Sequence, residues 1–218
     1  MLILAKRRNK MNFISFRDNF LPFKIFSTTD IVKQFPGFDF KRLNEWQKKG
    51  YLQKIVNKWY IFKEIPVDEL LLFRISNCIY RPSYISLQSA LSYYQLIPEG
   101  VYQQQAITTL KTQRYATVQG NFMFRNMKPS LYFGYKIIHH HSLPILIADM
   151  EKGLLDYFYL TPSLKTTEAM EALRLNDVVL RTELDCNKLQ EYASAFKSKT
   201  LDKKIVHLQN YIANAVTT

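Results

Sequence analysis

Along the first third of the chain, the spacing of apolar residues switches from a helical period to a strand-like one. The apolar-rich segment from Phe16 to Phe23 predicts a first helix that Pro22 ends early. In "STTDIVKQFPG", Ser27 or Thr28 can cap a second helix, Asp30 lies in its first turn, and Ile31, Val32 and Phe35 form its apolar face. Pro36-Gly37 then makes a tight turn. A third helix follows, with Asp39 as N-cap and Gly50 as its stop. At about 100° per residue, Phe40, Leu43 and Trp46 share one side, with Gln47 at its edge. Lys41, Asn44, Glu45, Lys48 and Lys49 fall on or near the other side, and Arg42 flanks Trp46. "YLQKIV" and "WYIFK" are rich in β-branched and aromatic residues, and they predict a hairpin turning at Asn57-Lys58 in a type I′ geometry.

Beyond a short linker the pattern changes. "DELLLFRI" reads as a helix and "YIS" as a short strand, and Ser86 is placed to cap a helix from Leu87 to about Leu96, closed by Pro98. "AITTLK", "RYATV", "NFMFRNM" and "LYFGYKII" are strand-like, with a hairpin at Gln119-Gly120 between the second and third. Helices are expected from Ala148 to Leu160, Thr166 to about Leu175, Asp185 to Phe196 and Thr200 to about Ala213. Leu201, Ile205, Leu208 and Ile212 form the stripe of the last. The expected fold class is therefore α+β. A winged helix-turn-helix over residues 1–66 precedes an α+β domain over 67–218, with a small sheet and C-terminal helices.

Charge divides along the same line. Residues 1–64 carry 14 Lys and Arg against 5 Asp and Glu, whereas residues 65–218 carry 16 against 13. Most of the formal net charge of +12 thus lies in the first third. Such segregation suits a basic module for a polyanion joined to a nearly balanced one, rather than a uniformly basic protein. Leu2, Ile3 and Leu4 before Lys6, Arg7 and Arg8 are too short for a signal-peptide core, and no apolar run is long enough to span a bilayer. Cys78 and Cys186 are too few and too distant for a disulfide scaffold. A cytoplasmic protein is expected.

In a winged helix-turn-helix the second helix of the motif enters the major groove and the hairpin rests on the backbone or the minor groove. Lys and Arg neutralise phosphates and release counterions. Asn44 is suited to adenine, Glu45 to cytosine, and Lys41 or Arg42 to guanine. The expected partner is double-stranded promoter DNA. The candidate contacts are Lys41, Arg42, Asn44, Glu45, Lys48 and Lys49 on the helix, with Lys54 and Lys58 on the wing. The alternative is a winged domain used for protein contact.

"YISLQSALSYYQLIPE", "ITTLKTQR" and "ILIADMEKGLLDYFYL", in that order behind a winged helix, resemble the AbiEi family of abortive-infection antitoxins. The similarity runs over most of residues 16–160. Members of that family commonly have "Asp-Pro-Glu-Lys-Ala-Leu-Leu-Asp" where this chain has "DMEKGLLD". Asp149, Glu151, Lys152, Leu154, Leu155 and Asp156 match; Met150 and Gly153 depart. A glycine within a helix costs about 1 kcal/mol against alanine. The resemblance implies a bifunctional protein of a type IV toxin–antitoxin system. Its winged module represses the operon's own promoter, and its second module opposes a toxin with a nucleotidyltransferase-like fold.

Three further constellations are weighed on their chemistry. Asp149 belongs at an N-cap, Lys152 and Asp156 form an i,i+4 surface pair, and Glu151 lies near the Leu154, Leu155 and Phe158 face. A structural role is favoured for this group, with Glu151, Lys152 and Asp156 also as candidate partner contacts. In the run His139-His140-His141 an extended backbone puts His139 and His141 on one face. Zinc needs three or four ligands and no Cys-x-x-Cys accompanies them, so no metal is assigned and a loop or strand end is expected. Tyr93, Tyr94, Tyr132, Phe133 and Tyr135 read as core or interface aromatics. No phosphate loop, nucleophile elbow or His-Glu-x-x-His is present, so no enzyme, catalytic residue or cofactor is expected. The competing readings are a regulator whose second domain senses a ligand or forms a homodimer, and a metal- or carboxylate-dependent nucleic-acid enzyme.

Overall fold

The computed structural model describes residues 11–98, 100–164 and 166–214, so the Leu2–Leu4 segment lies outside it. The chain divides between Val67 and Asp68 into two compact units. Helix α1, Phe13–Phe20, starts three residues earlier than the apolar pattern suggested, because the Asn12 side chain accepts from the Ser15 N–H at 2.8 Å. It gives way to a 3-10 turn at Leu21–Phe23, where Pro22 cannot extend the hydrogen-bond ladder. Strand β1, Ile25–Ser27, was not expected; three residues are too few to display a period. Helix α2, Thr28–Gln34, opens with a complete capping box: the Asp30 N–H donates to Ser27 Oγ and the Ser27 N–H donates to Asp30 Oδ2.

Helix α3, Lys41–Lys48, has Phe40 rather than Asp39 at its N-cap, although Asp39 Oδ1 still accepts from the Lys41 N–H at 3.1 Å. Its end is a Schellman motif. The Tyr51 N–H reaches the Trp46 carbonyl and the Gly50 N–H reaches that of Gln47, with Gly50 at φ +75°. Strands β2, Leu52–Val56, and β3, Trp59–Phe62, form the wing, and β3 lies between β1 and β2 in the sheet. The wing turn is not type I′, which needs positive φ at both central residues; only Lys58 has it, and the register shifts between Lys54 and Val56. This order, α1-β1-α2-α3-β2-β3, is that of a winged helix-turn-helix. Phe16, Phe20, Phe26, Ile31, Leu43, Trp46, Ile61 and Phe62 fill its core, with the Phe16 ring tilted against Trp46 at 4.7 Å and against Phe20 at 4.8 Å. Val32 and Phe40, expected on apolar faces, are exposed instead.

The second unit is built on a mixed six-stranded sheet. Helix α4, Glu69–Ile79, is capped by Asp68 and leads to β4, Ser83–Ile85, and α5, Leu87–Tyr93. Strands β5 (Gln103–Thr108), β6 (Gln113–Ala116) and β7 (Asn121–Asn126) follow, the last two paired across the expected Gln119-Gly120 hairpin. "LYFGYKII" is a strand only from Tyr135: a 3-10 turn at Pro129–Leu131 precedes β8, Tyr135–His140. Strand β9, Leu143–Ala148, was also unexpected; it is a nearly continuous apolar run that ends on the residue assigned to a helix start. The order is β6-β7-β5-β4-β9-β8, with β4–β9 and β5–β7 parallel.

Helix α6, Met150–Leu160, runs from Asp149. Helix α7, Thr167–Glu171, stops short of Leu175, and a separate α8, Asp177–Glu183, begins with an Asn176 cap. Helices α9, Cys186–Phe196, and α10, Lys199–Asn214, keep close to their expected spans. Both cysteines are free thiols. No described helix is long and apolar enough to cross a membrane.

Candidate nucleic-acid interface

Burial sorts the residues of α3 by chemistry. Leu43 and Trp46 are buried, while Lys41, Asn44, Glu45, Lys48 and Lys49 are exposed. The burial of two large side chains anchors the helix, and the five exposed positions have no packing task. Lys54 and Lys58 project from the wing, and both are exposed. Among the described residues, none of these five lysines — Lys41, Lys48, Lys49, Lys54 and Lys58 — is paired with a carboxylate. Unpaired, solvated ammonium groups keep their charge available to a polyanion at no cost in broken ion pairs.

Arg42 departs from the expectation. Its guanidinium donates from Nη1 to the Met11 carbonyl, so it ties the start of α1 to α3 instead of facing outward as a guanine reader. Asn44 accepts only a long contact, 3.4 Å, from Gln47 Nε2, and its amide group stays at the surface. Sequence reasoning overlooked Lys63. It is exposed just after β3 and, with Lys54, Gln47 and Gln53, lines a shallow groove beside the end of α3. Alternation along β3 gives no signal for it, since Tyr60, Ile61 and Phe62 are all buried and Lys63 lies in the turn beyond the strand. The wing is itself held down, because the Thr28 N–H donates to the Lys58 carbonyl at 2.9 Å. Arg17 and Glu64 add an ion pair at 2.7 Å between α1 and the chain after β3.

In the second unit the group around Asp149 proves to be largely interior. Lys152 and Asp156 form the expected i,i+4 pair, but both are 0% exposed, so the pair does not lie on the surface. Lys152 Nζ donates to Asp156 Oδ1 and, at 2.9 Å, to Tyr84 Oη. Asp156 Oδ2 accepts from the hydroxyls of Tyr84 at 2.9 Å and Ser86 at 2.8 Å. The Ser86 side chain is thereby withdrawn from the cap it was expected to form on α5. The rings of Tyr84, Phe133 and Phe196 lie 5.1–5.4 Å from the ammonium. Burial pushes the Asp156 carboxyl up and the Lys152 ammonium down, while their mutual bond opposes both shifts.

A second layer holds the start of α6. Glu151, 4% exposed, accepts from the Asp185 N–H at 3.0 Å and pairs with Lys188 at 3.2 Å. Asp149 occupies the N-cap without a side-chain cap bond, since its carboxylate binds Lys188 at 3.0 Å and the Tyr192 hydroxyl at 3.1 Å. At the other end, buried Lys204 donates to the carbonyls of Phe158 and Thr161, a cation at the negative end of the helix. Neither Lys152 nor Asp156 reaches a surface that a partner could touch, and Glu151 barely does; the expected role as partner contacts gives way to a structural one. The aromatic group is likewise used in packing, with Tyr135 stacked on Tyr84 at 4.9 Å and Tyr132 tilted against it at 5.0 Å. No model of a known protein family matches the chain, and no curated protein matches it in sequence.

Proposed function

We propose that this chain is a cytoplasmic, DNA-binding autoregulator that represses its own operon and acts as the antitoxin to a nucleotidyltransferase-like toxin. The observation that carries the DNA half is the sorting of α3 and the wing: apolar residues are buried and five unpaired lysines, with Asn44 and Glu45, are presented to solvent. In this reading Lys41 and Asn44 read base edges, Glu45 accepts from cytosine, and Lys48, Lys49, Lys54, Lys58 and Lys63 bind phosphates. The antitoxin half rests on the resemblance of "DMEKGLLD" and the two preceding fragments to AbiEi proteins. In the second unit these matching residues form the buried ionic centre, which supports a scaffold role for the motif rather than a catalytic one.

Fluorescence anisotropy with the DNA just upstream of this gene, against shuffled DNA over a salt series, tests the first half. Upstream DNA is expected to bind more tightly, with affinity falling steeply as salt rises. A Lys41→Ala/Lys48→Ala variant is expected to bind about tenfold more weakly and to lower the salt slope by roughly 0.9 per lost phosphate contact. Equal, weak binding to both DNAs would instead assign the winged unit to protein docking. For the second half, a neighbouring reading frame with a nucleotidyltransferase-like motif should be toxic alone and harmless when co-expressed with this chain.

A further inference from the structure

The histidine run did not satisfy a metal site on sequence spacing, but the fold brings in a third ligand from elsewhere. Strand β8 ends at His140, and the next two residues, His141 and Ser142, both have left-handed backbones, φ +48° and +64°. The chain therefore reverses within two residues, and His140 pairs with Leu143 across the hairpin. The reversal cancels strand alternation at the tip. It is His140 and His141, not His139 and His141, that lie side by side, their ring centroids 4.2 Å apart. His140 Nε2 lies 2.9 Å from Asp68 Oδ2, at the start of α4 and 72 positions earlier in the chain.

We infer that Asp68, His140 and His141 form a binding site for a divalent transition-metal ion of zinc's class. One ligand atom from each residue lies within 4.8 Å of the other two. Donors at about 2.0–2.1 Å in a tetrahedron stand roughly 3.3 Å apart, a spacing that small side-chain rotations reach from here. Two imidazoles and a carboxylate select zinc, nickel, cobalt or copper over magnesium or calcium. The carboxylate is oriented in advance: Asp68 Oδ1 accepts from the Leu71 N–H at 2.8 Å as the cap of α4, which leaves Oδ2 to the ion. The site is open to solvent, with 55% of the Asp68 side chain and 20% of that of His140 exposed. Three protein ligands leave a fourth position for water or an external donor. The ion would cross-link the tip of the β8–β9 hairpin to the start of α4.

The test uses the full chain with Zn2+ by calorimetry and Co2+ by visible absorption, which intensifies in tetrahedral coordination. One ion per chain is expected, with affinity reduced at least about tenfold in His140→Ala and in His141→Ala. Asp68→Asn preserves a good cap residue and is expected to weaken binding while leaving the circular dichroism unchanged. His139→Ala, on an exposed position outside the triad, should bind like the parent. No stoichiometric binding would overturn the proposal. So would binding that survives loss of His140 and His141, or that His139→Ala reduces as much as they do, since that describes a histidine run chelating without a built site.

Discussion

Helices α3 and α6 both carry lysines beside a packed apolar face, yet Lys48 is solvated and Lys152 has no exposed surface. The difference lies in what surrounds each cation. Around α3 no described carboxylate engages the lysines, and water meets the cost of their charge. Around α6 the buried charges are met by partners within the protein: Lys152 by Asp156 and Tyr84, Asp156 additionally by Tyr84 and Ser86. A solvated charge is available to another molecule, whereas a buried and matched one is committed to the fold. Substitutions in the two helices should therefore separate cleanly, with binding lost from one and stability from the other.

The largest expected effect follows from breaking the buried pair on one side only. Asp156→Ala leaves an ammonium in the interior facing three aromatic rings, and such uncompensated charges cost about 3–5 kcal/mol. Urea unfolding of the second unit should report that loss. Lys152→Met/Asp156→Leu removes both charges and should recover most of it; a double variant as unstable as the single would show that hydrogen bonding, not charge, dominates. In contrast, Lys41→Ala/Lys48→Ala should change stability by no more than about 0.5 kcal/mol per substitution, as surface substitutions do.

Alkaline pH sharpens the contrast from another side. Burial, reinforced by Asp156, raises the Tyr84 hydroxyl above its ordinary value, and burial likewise raises Tyr94 and Tyr132. Because the folded unit holds these protons more tightly than the unfolded chain, their contribution is intact below about pH 10 and declines as pH rises beyond it. Lys152 has the opposite sign: its lowered pKa lets the folded state gain stability as pH approaches 10.4 from below. Denaturation monitored by tyrosinate absorbance should show the second unit unfolding above pH 10 with these tyrosines ionising together. Their separate titration without unfolding would contradict the burial argument.

What could be read from the sequence depended on whether the deciding interaction was local. The α2 capping box and the Gly50 stop are settled by neighbours three to five residues apart, and both were predictable from Ser27, Asp30 and Gly50. Lysines 41, 48 and 49 were placed outward by helical spacing alone. Strands β1 and β9 were missed because their identity comes from pairing with distant partners, β1 with β3 and β9 with β4 and β8. Ser86 had the right residue type for a cap, but Asp156, 70 positions away, competes for its hydroxyl. Arg42 failed similarly, since the Met11 carbonyl that claims it lies in a different segment. The burial of Lys152 could not be read from an i,i+4 spacing that suits exposed pairs equally well.

The smallest effect concerns Gly153, where the motif departs from alanine. On helix propensity alone, Gly153→Ala should gain about 1 kcal/mol. The packing works against that gain: a Cβ at this position would stand 3.3 Å from the Ala90 Cβ on α5, closer than carbon atoms usually pack. The substitution should therefore yield much less than the full gain in a thermal or urea melt, or a slight loss. The reason can be isolated with a double-mutant cycle. Ala90→Gly opens the space, and in that background Gly153→Ala should recover its propensity gain, giving a favourable coupling between the two positions. Additive effects would mean that α5 and α6 already have room for the methyl group, and that the glycine serves no packing purpose.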